Sequence, residues 1–85
     1  MVRKKKLLET ARQKTSGLKF KDLCALAKAA GFVFDRQSGS HHIYRHDRAG
    51  VPTINIQKGK SGDAKPYQVK QLLQIIEEHE LEVQE

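Results

Sequence analysis

Between residues 32 and 57 the chain carries three strand-like runs joined by turns too short to hold a helix. Phe32–Gln37 is aromatic and β-branched at its start, and His41–Asp47 reads HHIYRHD. Val51–Gln57 reads VPTINIQ, with Ile54 and Ile56 alternating against Thr53, Asn55 and Gln57. The connections are Ser38-Gly39-Ser40 and Arg48-Ala49-Gly50. Parallel strands need a crossover of about a dozen residues, so these runs are expected to form an antiparallel meander. Pro52 cannot donate to a ladder, which favours an edge or first-residue position for its run.

Helical periodicity flanks the runs. Leu7, Leu8 and Ala11 give a short amphipathic helix within Lys5–Lys14, broken by Thr15-Ser16-Gly17. Within Lys19–Ala30, the residues Phe20, Leu23, Cys24, Ala27 and Ala30 make one buried stripe, which Leu26 widens. Cys24 on that stripe reads as a small core residue. Gly31 suits the left-handed cap after the helix. Lys58–Lys65 is a polar loop, and Pro66 fits the first helical position. Val69, Leu72, Leu73 and Ile76 then mark a helix over Tyr67–Glu80, where His79 would complement the dipole. The order is α(α)βββα, an α+β class. Both helical stripes should cover one face of a three-stranded sheet and leave the other open to solvent. Eighty-five residues leave room for one domain, 1–85, with a core over about 5–80.

Charge narrows the class of partner. The chain has 16 Lys and Arg against 10 Asp and Glu, a net +6. All five acids of residues 71–85 are glutamates with no basic residue among them, so the preceding body carries +11. A small body so charged is the footprint of a polyanion-binding protein, nucleic acid first; solubility alone is the bland alternative. The acidic stretch 77–85 is expected to be a partly disordered tail, and the basic run Arg3–Lys6 a frayed, solvated end. No apolar run of 18 or more residues exists, so no membrane partner is expected. The basic start lacks the apolar stretch of a secretory signal. One cysteine allows neither an internal disulfide nor a CxxC metal site, so a cytoplasmic setting is expected.

The segment richest in chemistry is Arg36 to His46. Strand alternation groups His42, Tyr44 and His46 on one face and His41, Ile43 and Arg45 on the other. If bulky Tyr44 takes the core, His41 and Arg45 lie on the open face beside the Gly39-Ser40 turn. Ile43 competes for the core, and a bulge at Gly39 would change the phase. Three readings stand. The side chains are solvated strand residues; or His41, His42 and His46 hold zinc, against the alternation; or a histidine does acid–base work on a phosphodiester. An imidazole can take a proton from a ribose 2′-hydroxyl at neutral pH. Arg36 and Arg45 could then stabilise charge on the phosphate. No phosphate-cradling glycine motif or carboxylate pair calls for a nucleotide, a metal or another cofactor.

Phe20-Lys21-Asp22-Leu23, then Gly31-Phe32, then Arg36-Gln37-Ser38-Gly39-Ser40-His41-His42-Ile43-Tyr44 resembles the HicA family of bacterial toxins. The family pattern is a helix ending in Gly-Phe, a few strand residues, Arg-Gln-x-Gly-Ser-His, and an aromatic three residues later. The resemblance runs from about Lys5 to Ile76. It implies a fold like the double-stranded-RNA-binding domain and a metal-independent endoribonuclease that cleaves mRNA. It also implies inhibition by a HicB-type antitoxin covering the active site. The histidine after Gly-Ser maps to His41, the implied catalytic residue; Arg36, Ser40, Arg45, Lys58 and Lys60 are the expected RNA contacts. Many members carry Pro-x-His after the third strand, where this chain has Asn55-Ile56-Gln57-Lys58-Gly59-Lys60. Many start the last helix with Gly-Thr, where this chain has Lys65-Pro66-Tyr67. A second histidine is therefore absent, and catalysis would rest on His41 with basic helpers. A non-catalytic RNA-binding module of the same fold is the alternative, and an inactive relative kept for antitoxin binding a third.

Overall fold

The computed structural model describes residues 4–84. Helices α1 (Lys4–Gln13) and α2 (Phe20–Ala29) precede strands β1 (Phe32–Ser38), β2 (His41–His46) and β3 (Ile54–Gln57), and α3 (Pro66–Glu78) follows. The sheet is an antiparallel meander in the order β1-β2-β3. The short hairpin turn at Gly39 has φ of 59°, as the close spacing of the runs requires. Lys4–Lys6 belong to α1 rather than to a frayed end; Arg3 lies outside the described residues.

The helical stripes are buried together in one core against the sheet, with α1 packed on α2 and α3. Leu7 and Ala11 of α1, Leu23, Leu26 and Ala27 of α2, and Val69, Leu72 and Ile76 of α3 are buried. They form one core with Phe32, Tyr44, Ile54 and Ile56 from the strands. Tyr44 takes the core face and Ile43 stays half-buried on the other, because Tyr44 pairs across with Phe34 and Ile54 and continues their apolar row. Gly31 ends α2 with φ of 102°, and a Cβ there would stand 2.6 Å from His46 Nε2.

Three local features differ from the sequence expectations. β3 begins at Ile54, so Val51-Pro52-Thr53 extends the connection instead of the strand, in keeping with the donor that Pro52 lacks. Asp35 is an extra residue: the β1–β2 register slips between Phe34 and Arg36. This bulge puts Arg36 across from Ile43 on the open face. The acidic stretch is not a loose tail over its described part. Leu81 and Val83 are buried, and the Gln84 amide donates to the Ala29 carbonyl at 2.8 Å. Glu80 makes the turn possible at φ of 50°, with the Leu81 amide donating back to Ile76. That is a Schellman closure without the usual glycine. Glu85 lies outside the described residues.

Candidate active site on the open face of the sheet

Two of the three strand histidines turn to the helices and are used there. The His42 ring meets the Phe20 ring at 5.0 Å. His46 Nε2 lies 3.1 Å from the Ala30 carbonyl, and His46 Nδ1 accepts the Arg48 amide at 3.0 Å. A carbonyl only accepts and an amide N–H only donates, so one neutral tautomer, with the proton on Nε2, satisfies both. Tyr44 is buried beside them; burial, then the Cys24 thiol against its hydroxyl, pushes its pKa up and keeps it neutral. Cys24 is half-buried against the core, as its stripe position suggests. Beyond these, the Arg48 guanidinium donates to the His79 carbonyl at the end of α3, a cap supplied from another segment.

His41 is exposed on the open face. Its Nδ1 lies 3.0 Å from Asn55 Oδ1 on β3. One register position along, His41 pairs with Gln57. Gln57 Nε2 donates to Ser40 Oγ at 2.7 Å, and Lys65 Nζ donates to Gln57 Oε1 at 2.9 Å. An ammonium can only donate. Lys65 therefore fixes which way the Gln57 amide points, Ser40 Oγ becomes an acceptor, and the Ser40 hydrogen is left to give elsewhere. Gln68, the buried polar residue of α3, accepts the Gln57 amide at 2.9 Å and braces the helix start against β3. Tyr67, one residue before it, is 63% exposed, its hydroxyl 3.4 Å from Gln68 Nε2.

The two arginines expected to contact RNA are on the same face, and both have partners. Arg36 Nη1 is 2.6 Å from Asp35 Oδ2. Arg45 Nη1 is 2.5 Å from Asp47 Oδ1, with its Nε 4.0 Å from Asp35. Their side chains are 67% and 50% exposed, and such surface pairs contribute only about 0–1 kcal/mol each. A phosphate can displace the carboxylates at little cost. Lys58 is elsewhere: alternation turns it to the helix side, where its Nζ sits 5.9 Å from the centre of the Phe20 ring. Lys60 is exposed in the loop before α3, a loop held to the α1–α2 connection by Ala64 N–H donating to Leu18 at 2.8 Å.

The open face thus assembles His41, Ser40, Arg36 and Arg45, and leaves Lys58 out. It adds Asn55 and Gln57, with Lys65 and Gln68 bracing Gln57 from the start of α3, none of which sequence reading assigned to the site. The signal was available in part. Asn55 and Gln57 alternate against Ile54 and Ile56, so they had to share a face; that His41 was opposite them needed the register. The histidines proposed for zinc are split between faces, and among the described residues no group of three or more His, Cys, Asp or Glu could hold a metal ion. Among those residues no helix is long and apolar enough to cross a membrane.

Fold and charge together define a small basic α+β domain presenting polar and cationic side chains on an uncovered sheet face. The family model described as HicA toxin of bacterial toxin–antitoxin matches residues 20–77, and the chain belongs to that family. It is thus a toxin of the toxin–antitoxin type, in a family whose members are generally ribonucleases. Searches among curated proteins and solved structures gave no match.

Proposed function

We propose that this chain is a metal-independent mRNA endoribonuclease in which His41 is the general base. The observation that carries the reading is an exposed His41, within the family-matched segment, next to Ser40 in the chain and on the same sheet face as Arg36 and Arg45. His41 takes the proton of a ribose 2′-hydroxyl. The freed 2′-oxygen forms a bond to the adjacent phosphorus while the bond from phosphorus to the 5′-oxygen breaks. The 5′-oxygen leaves with a proton from water, because His42 and His46 are turned to the other face. The Ser40 hydroxyl and Arg36 stabilise the charge on the non-bridging oxygens, and Arg45, four residues along β2, holds a neighbouring phosphate of the strand. The products are a 2′,3′-cyclic phosphate and a 5′-hydroxyl. A HicB-type antitoxin would inhibit by covering this face, where Val33 (42% exposed) offers apolar surface across from Arg45.

The test is His41→Ala in a growth-arrest assay and in cleavage of purified RNA, with end-group analysis. A positioned base supplies about 10²–10⁴ in rate, so cleavage should fall by that factor at unchanged Tm. His42→Ala is the control and should act through stability only. Full toxicity of His41→Ala would overturn the reading in favour of an RNA-binding module.

A further inference from the structure

We infer that Asn55 is a positioning residue for His41, holding the neutral ring in the tautomer that carries its proton on Nδ1 and so leaving the Nε2 lone pair to face solvent. The inference deepens the proposed role of His41 and rests on it for its consequence, but not for its geometry.

The argument begins with which atoms meet. The Asn55 side-chain oxygen, not its nitrogen, is 3.0 Å from His41 Nδ1. A carbonyl oxygen only accepts, so Nδ1 must be the donor. A neutral imidazole has one N–H, so a proton on Nδ1 leaves Nε2 as the only ring atom able to receive another. Free histidine favours the opposite tautomer, with the proton on Nε2, which would present the substrate with a donor in place of a base. The hydrogen bond therefore selects the form that catalysis needs.

The position of Asn55 follows from the fold. It lies on β3 between Ile54 and Ile56, whose burial holds the strand down and turns the Asn55 side chain to the open face. The antiparallel register places it across from Ile43, diagonal to His41. Gln68 of α3 reaches the Asn55 carbonyl at 3.4 Å, so helix and strand hold the backbone that carries the amide. Ser40, beside His41, has its polarity set by the Lys65–Gln57 pair. One side of the site is thereby an acceptor, His41 Nε2, and the other a donor, the Ser40 hydroxyl. That polarity matches a 2′-hydroxyl next to a phosphate oxygen.

The experiment is ¹⁵N NMR of the imidazole nitrogens in the full chain, alongside kinetics of Asn55→Ala and Asn55→Asp. In the parent protein with the ring neutral, Nδ1 should show the protonated-type shift and Nε2 the lone-pair shift. Asn55→Ala should move the population toward the Nε2 proton and lower kcat by about 10- to 100-fold with KM unchanged, the usual loss for a group that orients another. Asn55→Asp keeps an acceptor against Nδ1 and should restore the Nδ1 tautomer and most of kcat. A parent spectrum with the proton on Nε2 would overturn the inference, as would an unchanged tautomer in Asn55→Ala. If His41→Ala kept full cleavage while the Nδ1 tautomer was found, the catalytic reading would fail and the positioning contact would stand.

Discussion

Gly31→Ala tests the way the end of α2 locks onto β2. A methyl group at residue 31 faces two penalties. The backbone φ of 102° is a conformation that L-residues rarely adopt, at a cost of about 1–2 kcal/mol. The new Cβ would also stand 2.6 Å from His46 Nε2, so the ring must move. Moving it breaks the bond to the Ala30 carbonyl, about 0.5–1.5 kcal/mol, and disturbs its edge contact with Phe32 at 5.1 Å, of similar size. Reduced freedom of the unfolded chain returns less than about 1 kcal/mol. The net expectation is a loss of about 2–4 kcal/mol, a large part of the stability of a domain this small. Urea unfolding should read this directly, and Tm should fall by roughly 10 °C or more. A cycle with His46→Ala separates the causes, because removing the ring removes the clash but leaves the backbone strain. The double variant should be more stable than the two single losses predict by about 1–2 kcal/mol. A loss below about 1 kcal/mol for Gly31→Ala, or additivity within about 0.5 kcal/mol, would refute the account.

Two further outcomes are expected, the first from the packing of the chain's end and the second from the proposed function. Leu81→Ala should lower stability by about 2–4 kcal/mol in urea unfolding, since Leu81 is 7% exposed within the core; a loss near zero would mean that the acidic segment is detached. Cleavage of RNA should be the same with and without EDTA, and activity lost on chelation and restored by magnesium would rule out the metal-free mechanism.

The fold was legible because its signals are local. The period of Val69, Leu72 and Ile76, the short turns at Gly39 and Gly50, and the Gly31 cap each act within a few residues. The face of His41 was legible only as a condition: alternation sets it opposite Tyr44, but whether Tyr44 or Ile43 took the core needed the neighbouring strands. What alternation does not carry is register. The bulge at Asp35 shifts Arg36 by one place and is invisible in FVFDRQS, because no glycine or proline marks it. The amide of Asn55 and the Lys65–Gln57–Ser40 chain join residues up to 25 positions apart, so only the assembled sheet and helix bring them together. The burial of Leu81 and Val83 was masked by the glutamates between and around them, whose charge reads as a solvated tail although the alternate positions are apolar.

The carboxylates of Asp35 and Asp47 have a consequence for how this surface meets a charged strand. Elsewhere on a basic protein, an arginine awaiting a phosphate and the phosphate itself are both attended by salt ions from solution. Association sets those bound to the nucleic acid free, and their dilution drives binding. Arg36 and Arg45 carry tethered counterions, which are parted from them but not released to the bulk. Under the proposed function, a phosphate arriving at either arginine would perform an exchange of anions at fixed sites, and Asp35, shared by both, is the residue that would have to let go. The carboxylates also repel a strand whose phosphates miss that exchange. The open face is thus closer to neutral than the body's +11 suggests, and if Arg36 and Arg45 bind RNA as proposed, it would select for placement of the strand more than for the strand's charge.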